Sequence, residues 1–461
     1  MLPKKLSARI SRNHSWAVNT LKKYSAIPSV SAQKQGIKES ILFLEKLFRK
    51  CGLKVKIISA RGRIPPKAGK TPGHPVVYAE KIVNPAARTI LFYNHYDVQP
   101  AEPFNLWDTP PFSPAIRNGK IFGRGVADNK GNLIARLSAV KSFAEIGLSL
   151  PVNVKFLVDG EEEIGSPSLP SLIKKYRRLI SADLCIWETG GKDESGRPKL
   201  ILGCKGIMHL ELSIQAARDD LHSSNGIIVP NPVWQLVWAL NSLKDFRERI
   251  LINGFYQDVR KTDRMDKIIL RKIPFNEQEK LNKWGLKKFV LGLKGRALVE
   301  HFYYQPALNI NGLSGGYQGP GHKTVLPKEA SAKIDFRLVP DQNPADILKK
   351  LRCHLDKHGF VDVKINEARG YPPARTPVNH PYVKLVAEAQ EKIYGRTPVI
   401  EPLFAASGPM YLFTPLMPCV CEGIGHPDCK AHAPNENIYL KDLRLGTKCI
   451  AGIIIKIGNA Q

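Results

Sequence analysis

The stretch TILFYNHYDVQP, Thr89 to Pro100, begins as an apolar and aromatic run and ends in a histidine and an aspartate two positions apart. A continuous apolar run of this length predicts a strand covered on both faces, the habit of parallel sheets. Side chains alternate along a strand, so His95 and Asp97 point the same way. In open α/β sheets, ligands gather beyond the carboxyl ends of the strands, where this pair falls. Taken alone, the pair fits a core histidine held by a nearby acid equally well. The rest of the chain has to break the tie.

Around that strand the first two hundred residues alternate helical and strand-like patterns. Helices are predicted near 15–27 and 37–51, strands near 53–58 and 89–94, a helix over about 131–147, and a strand at VNVKFLVDG. This alternation predicts an α/β fold, a mostly parallel sheet with helices on both faces. After LILGCKG the pattern changes. IMHLELSIQAA alternates like a half-exposed antiparallel strand, and NPVWQLVWALNSLKDF opens with Asn-Pro and continues as a helix. SAKIDFRLVP reads as a strand, NPADILKKLRCHLDKHG as a helix stopped by glycine, and VDVKINEA as a strand again. The set predicts an inserted α+β domain over 206–371, with 1–205 and 372–461 forming one discontinuous domain. RGRIPPKAGKTPGHP, residues 61–75, reads as a Pro/Gly/basic loop.

At 461 residues the chain is long enough for two such domains, and 43% apolar content places it among globular proteins. Its first twenty residues are basic and lack an apolar signal core, and no stretch approaches ~18 uninterrupted apolar residues. A cytoplasmic protein without a membrane partner is therefore expected. Eight cysteines lie scattered without finger-like spacing, as buried thiols would. Cys419 and Cys421, followed by Cys429, are explained more simply by alternation in a strand than by zinc. The net charge is +28, and residues 1–72 hold 17 Lys or Arg against two acids, Glu39 and Glu45. No helix-turn-helix, RNP-type or zinc-finger pattern accompanies the charge, so a nucleic-acid partner is not expected and a solvated basic face is.

Acids collect where strands end. Asp128 lies in FGRGVADNKGN, a Gly-rich turn without the dinucleotide or Walker pattern. FLVDGEEEIGSPSL sets Glu161, Glu162 and Glu163 directly after a strand; ADLCIWETGG ends a strand at Glu188; CKAHAPNENI holds His432 in a polar loop. Any one acid at a helix start has an ordinary explanation in the helix dipole. Several at the mouth of one buried sheet repel one another unless a cation sits among them. His95, Asp128, Glu163, Glu188 and His432 together offer mixed N and O donors, which suit Zn²⁺ and also Mn²⁺ or Co²⁺.

The ordered segments NHYDVQP, GRGVADNKG, EEEIGSP, WETGG, HSSNG, RLVPDQ and AHAPNEN resemble the M20 metallopeptidases, and within them the carnosine dipeptidase-like branch, from about residue 35 onward. The resemblance implies a catalytic domain bearing two divalent ions, zinc foremost, and an inserted lid and dimerisation domain. It implies that His95 and Glu188 bind one ion, Glu163 and His432 the other, and that Asp128 bridges them. Glu162 would be the general base and Asp97 would hold the imidazole geometry. In DLHSSNG, His222 resembles the lid histidine that reaches the partner subunit's site and stabilises the oxyanion. Arg337 in DFRLVPDQ resembles the residue that grips the substrate's terminal carboxylate, with Thr324 of KTVLP assisting it. Ser407 in FAASGPM falls in the branch's small-residue turn, loosely matched, and joins the substrate-binding set.

Two departures stand out. Glu188 replaces the branch's usual aspartate, and Asn129 replaces its common second aspartate. The expected function is hydrolysis of the amide bond of dipeptides or short peptides by a homodimer. N-acyl amino acid deacylation or desuccinylation uses the same machinery and is not separated from it by sequence. A basic nucleic-acid-associated scaffold would have no need of so many adjacent acids.

Overall fold

The computed structural model describes residues 2–59 and 73–460, so the Pro/Gly/basic loop read at 61–75 lies, except for its last three residues, outside the described residues. The chain divides into two units. The first comprises Met1–Gly203, Thr376–Pro402 and Leu412–Gln461, and the second Cys204–Arg375 and Leu403–Tyr411.

Among the described residues the first unit is built on a nine-stranded sheet. Its order is Lys54–Ile58, Val76–Lys81, Asn153–Asp159, Thr89–His95, Leu184–Trp187, Cys419–Cys421, Pro198–Ile201 and Val399–Glu401, with Gly191–Lys192 pairing beside Pro198–Ile201. The four strands from Asn153–Asp159 to Cys419–Cys421 run parallel, and antiparallel strands flank them. Parallel strands deliver their carboxyl ends to one edge, and the register places His95 beside Asp159 there.

Both faces of the Thr89–His95 strand are covered, as its unbroken apolar run requires. Ile90 and Phe92 belong to the core that includes the helices Lys130–Glu145 and Leu440–Gly458. Tyr93, of the opposite parity, stacks on Trp187 at 4.0 Å between ring centres, with Phe413 edge-on at 5.1 Å. The Lys130–Glu145 helix is buried along most of its length, and one of its charged residues has a structural task. The guanidinium of Arg136 donates to the carbonyls of Tyr93 (2.7 Å), Glu422 (3.0 Å) and Trp187, and to Asn94 Oδ1 (3.0 Å). One planar fork thus ties three parallel strands together where they end. Gly160, just beyond Asp159, permits a close pass: a Cβ there would lie 2.0 Å from the Tyr96 hydroxyl.

The second unit holds a four-stranded antiparallel sheet in the order Ala307–Gly315, Glu329–Leu338, Gly206–Gln215, Lys364–Tyr371. Strand alternation sends Ala330, Ala332, Ile334, Phe336 and Leu338 into a core shared with residues of the helices Pro232–Leu243 and Pro344–Lys357. Asp335 and Arg337 therefore fall on the opposite face. Both helices start as their sequences predict. Asn231 Oδ1 accepts from the Val233 amide at 2.9 Å and Asn343 Oδ1 from the Ala345 amide at 2.8 Å, each ahead of a proline in the first turn. The strand Ala307–Gly315 is an addition to the sequence reading.

Cys419 and Cys421 alternate in a strand, and no disulfide joins the described cysteines. Among the described residues no helix is long and apolar enough to cross a membrane.

Replacing Arg136 by methionine keeps the bulk and removes the donors for buried acceptors on three strands. We expect a loss of about 3–5 kcal/mol in denaturant unfolding, against about 1 kcal/mol for Asn231→Ala at a helix cap. Equal losses would show that the guanidinium does not tie the strand ends.

Candidate active site

His95 leaves the Thr89–His95 strand fully buried. Its Nδ1 lies 3.0 Å from the backbone carbonyl of Asp97 and 3.4 Å from that residue's carboxylate. Donation from Nδ1 leaves the Nε2 lone pair facing the cluster, the arrangement of a metal-binding imidazole. Nε2 is 3.0 Å from Asp128 Oδ1 and 3.6 Å from Glu188 Oε2. The other oxygen of Asp128, Oδ2, is 3.1 Å from His432 Nε2, which lies 3.2 Å from Glu163 Oε2. Each oxygen of Asp128 thus faces a different imidazole, and each imidazole has a glutamate of its own.

Glu162 stands on the His95 side, where its carboxylate, the His95 ring and Glu188 offer ligand atoms within 4.8 Å of one another. Asp97 supports both flanks. Besides meeting His95, its carboxylate accepts the backbone amides of Glu162 (3.2 Å) and Glu163 (3.0 Å). Gln99 donates to Glu163 Oε2 at 2.9 Å. The seven residues His95, Asp97, Asp128, Glu162, Glu163, Glu188 and His432 come together in the first unit. The donor set fits divalent ions by a further observation: Glu163 Oε1 and Glu188 Oε2 are buried with no hydrogen-bond donor, an expensive condition for a carboxylate oxygen unless a cation meets it.

The electrostatics carry the same message. Burial raises Glu188 to about 8, helped by Asp128 and Glu163 against the opposing pull of His95. Glu162 is pushed well above the carboxylate range by burial and by the charge of Glu188. Burial acts the same way on Asp128, yet the hydrogen bonds from His432 and His95 hold it well below that range. Hydrogen bonds to Asp128 and Glu163 lift His432 to about 10. For His95, burial is overcome by the bonds to Asp128 and Asp97, and the ring is driven well above its ordinary value. Crowded carboxylates draw positive charge onto whatever can carry it.

Residues 91–456 match the family model described as peptidase family M20/M25/M40. The chain belongs to this family of peptidases. It is 28% identical to the Beta-Ala-His dipeptidase of Mus musculus, over 96% of this chain and 93% of that relative. It is 30% identical to the Cys-Gly metallodipeptidase DUG1 of Saccharomyces cerevisiae, over 82% of this chain and 81% of that one. Among solved structures, an M20 family metallo-carboxypeptidase from Sulfolobus solfataricus superposes with a TM-score of 0.88 at 38% identity, covering 96% of this chain and 99% of that chain. The peptidase is accordingly an amide-bond hydrolase.

One residue that shapes the candidate metal site, Glu436, was not singled out from sequence. Glu436 is fully buried, and its carboxylate accepts the amides of Gly125 (2.9 Å), Ala127 (2.8 Å) and Asp128 (3.0 Å) and a bond from Arg124 (2.9 Å). It moulds the Gly-rich turn that presents Asp128. Nothing local in AHAPNEN marks this acid, because its partner Arg124 of GRGVAD lies 312 positions away. Glu161, first of the three glutamates, accepts the amides of His74 (2.8 Å) and Ser168 (3.0 Å) and so braces its own loop. Asn129 donates to the Glu188 carbonyl at 2.7 Å, so the amide at this position steadies the strand end that carries Glu188.

The four residues expected at the substrate lie in the second unit and form two pairs. His222 is exposed and begins a turn: its Nδ1 accepts the Ser224 amide at 3.2 Å, and its Nε2 lies 3.5 Å from Thr324 Oγ1. Thr324 thus stands by His222, whereas Arg337 lies against Asp335 (3.4 Å) and Ser407 Oγ (3.4 Å).

Glu436→Gln should lower zinc affinity by about 10–100-fold, the usual cost of losing a ligand's support, with circular dichroism unchanged. Competition against a chromophoric chelator measures it, and unaltered affinity would show that the turn holds Asp128 without this carboxylate.

Proposed function

We propose that this peptidase is a cytoplasmic, homodimeric dipeptidase that uses two divalent ions, zinc foremost, with manganese or cobalt as working substitutes. The observation that carries the reading is the division of Asp128's two oxygens between His95 and His432. His95 and Glu188 would hold one ion, Glu163 and His432 the other, and Asp128 both. Bound there, such a pair polarises a carbonyl and lowers the pKa of water.

The chain's own residues supply the rest. Glu162 accepts the proton of the attacking water and returns it to the departing amine; burial and the charge of Glu188 raise its affinity for that proton. Asp97 fixes the backbone of Glu162 and Glu163 and the ring of His95, so that base and ligands keep their spacing. Arg337, with Ser407 beside it, takes the free α-carboxylate that marks the end of a short peptide. His222, on an exposed turn beside Thr324, serves the developing oxyanion in the partner subunit. The homodimer is supported by Trp234 and Trp238 of the second unit, stacked at 5.8 Å and more than half exposed, and by Ile227 and Ile228, each over 80% exposed. Large apolar groups left open in this way are the material of an interface. Buried thiols such as Cys185 and Cys449 suit a reducing compartment.

Two measurements test the reading. After chelator treatment and reloading with Zn²⁺, Mn²⁺ or Co²⁺, free dipeptides should be cleaved faster than N-acetyl or N-succinyl amino acids; the reverse order would make it a deacylase. Glu162→Gln should retain its metal and lose about 10²- to 10⁴-fold in kcat. Near-normal kcat would mean that another group is the base.

A further inference from the structure

One buried cation has no part in the scheme above. Lys205 is 7% exposed, just before the Gly206–Gln215 strand, and Ile207, two residues on, pairs with Arg337. Its ammonium donates to the Gln305 carbonyl at 2.9 Å, which occupies one of three N–H bonds. Its backbone amide donates to the Phe404 carbonyl at 3.0 Å, anchoring the Leu403–Tyr411 segment that carries Ser407 to Arg337.

Burial and then repulsion from Arg337 lower Lys205 to about 8. Asp335 does neutralise Arg337: it meets Nε at 3.4 Å and is itself fixed by Asn309 (3.3 Å) and Asn311 (2.7 Å). Two cations and one carboxylate leave a single positive charge, the complement of one further carboxylate. With Nε turned to Asp335, the outer nitrogens of Arg337 remain for a ligand, and Nη1 already points at Ser407.

We propose that Lys205 is a specificity-determining residue that joins Arg337 and Ser407 in receiving the α-carboxylate of the substrate. This rests on the reading of Arg337 given above. A carboxylate has four lone-pair directions, so a forked guanidinium and an ammonium can bind it together.

The test uses Lys205→Gln, which keeps an N–H for the Gln305 carbonyl and removes the charge, and Lys205→Arg, which restores the charge. Each is assayed on a dipeptide and on the same dipeptide as its C-terminal amide, alongside Arg337→Lys. For Lys205→Gln we expect KM for the free acid to rise about tenfold or more, as for loss of a charge-assisted bond, with kcat little changed and the amide unaffected. Lys205→Arg should recover most of the loss. If Arg337→Lys discriminates acid from amide and Lys205→Gln does not, the proposal for Lys205 is wrong while the reading of Arg337 stands. If neither discriminates, both are wrong. Should Lys205→Gln fold poorly, Lys205→Met assayed below its melting temperature decides: a KM raised on the free acid alone supports the proposal, and a KM unchanged or equally raised on both substrates overturns it.

Discussion

Repulsion among Asp128, Glu162, Glu163 and Glu188 is the constraint on which the rest of the first unit depends. Four carboxylates converge on two imidazoles at the end of a parallel sheet, and two of their oxygens are buried without a donor. In a medium of low polarity such a group is stable only when positive charge is held among its members. The surrounding acids raise the proton affinity of His95 and His432, and the donor set is suited to meeting the constraint with divalent ions.

Much of the surrounding architecture keeps these like charges from moving apart. Asp97 binds two successive amides of the glutamate loop, Glu436 binds three in the Asp128 turn, and Arg136 gathers strand ends bearing His95 and Glu188. In each case a buried charged side chain is satisfied by backbone groups, so the supports hold the main chain and leave the ligand side chains directed at one another. Lys130, two residues after Asp128, extends the frame: its ammonium donates to the carbonyls of Tyr24 (3.2 Å) and Ile27 (2.7 Å), at the end of the helix His14–Ser25. The site is therefore as rigid as the fold that carries it.

The candidate site residues could be picked out because strand ends leave a local mark: an apolar run, then a charged residue, repeated at His95, at the glutamate triplet and at Glu188. The inserted α+β set was legible for a similar reason, since period-two strands and Asn-Pro helix starts are local. What escaped has no local signature. Arg136 and Glu436 act on backbone groups of distant segments, and in sequence each resembles a solvated charge. The strand Ala307–Gly315 escaped because its asparagines and glycines interrupt the apolar pattern, and as an edge strand it leaves Ile310 and Leu313 more than half exposed. The grouping of Leu403–Tyr411 with the second unit is set by pairing with Cys204 and Lys205, some two hundred residues away.

The most direct test of the shared carboxylate is metal stoichiometry. Protein stripped with chelator, equilibrated with Zn²⁺, freed of excess and subjected to elemental analysis should hold two ions per chain, and Asp128→Ala, similarly treated, fewer than one. A wild-type ratio of one, or two ions retained by Asp128→Ala, would contradict a two-ion centre built around Asp128.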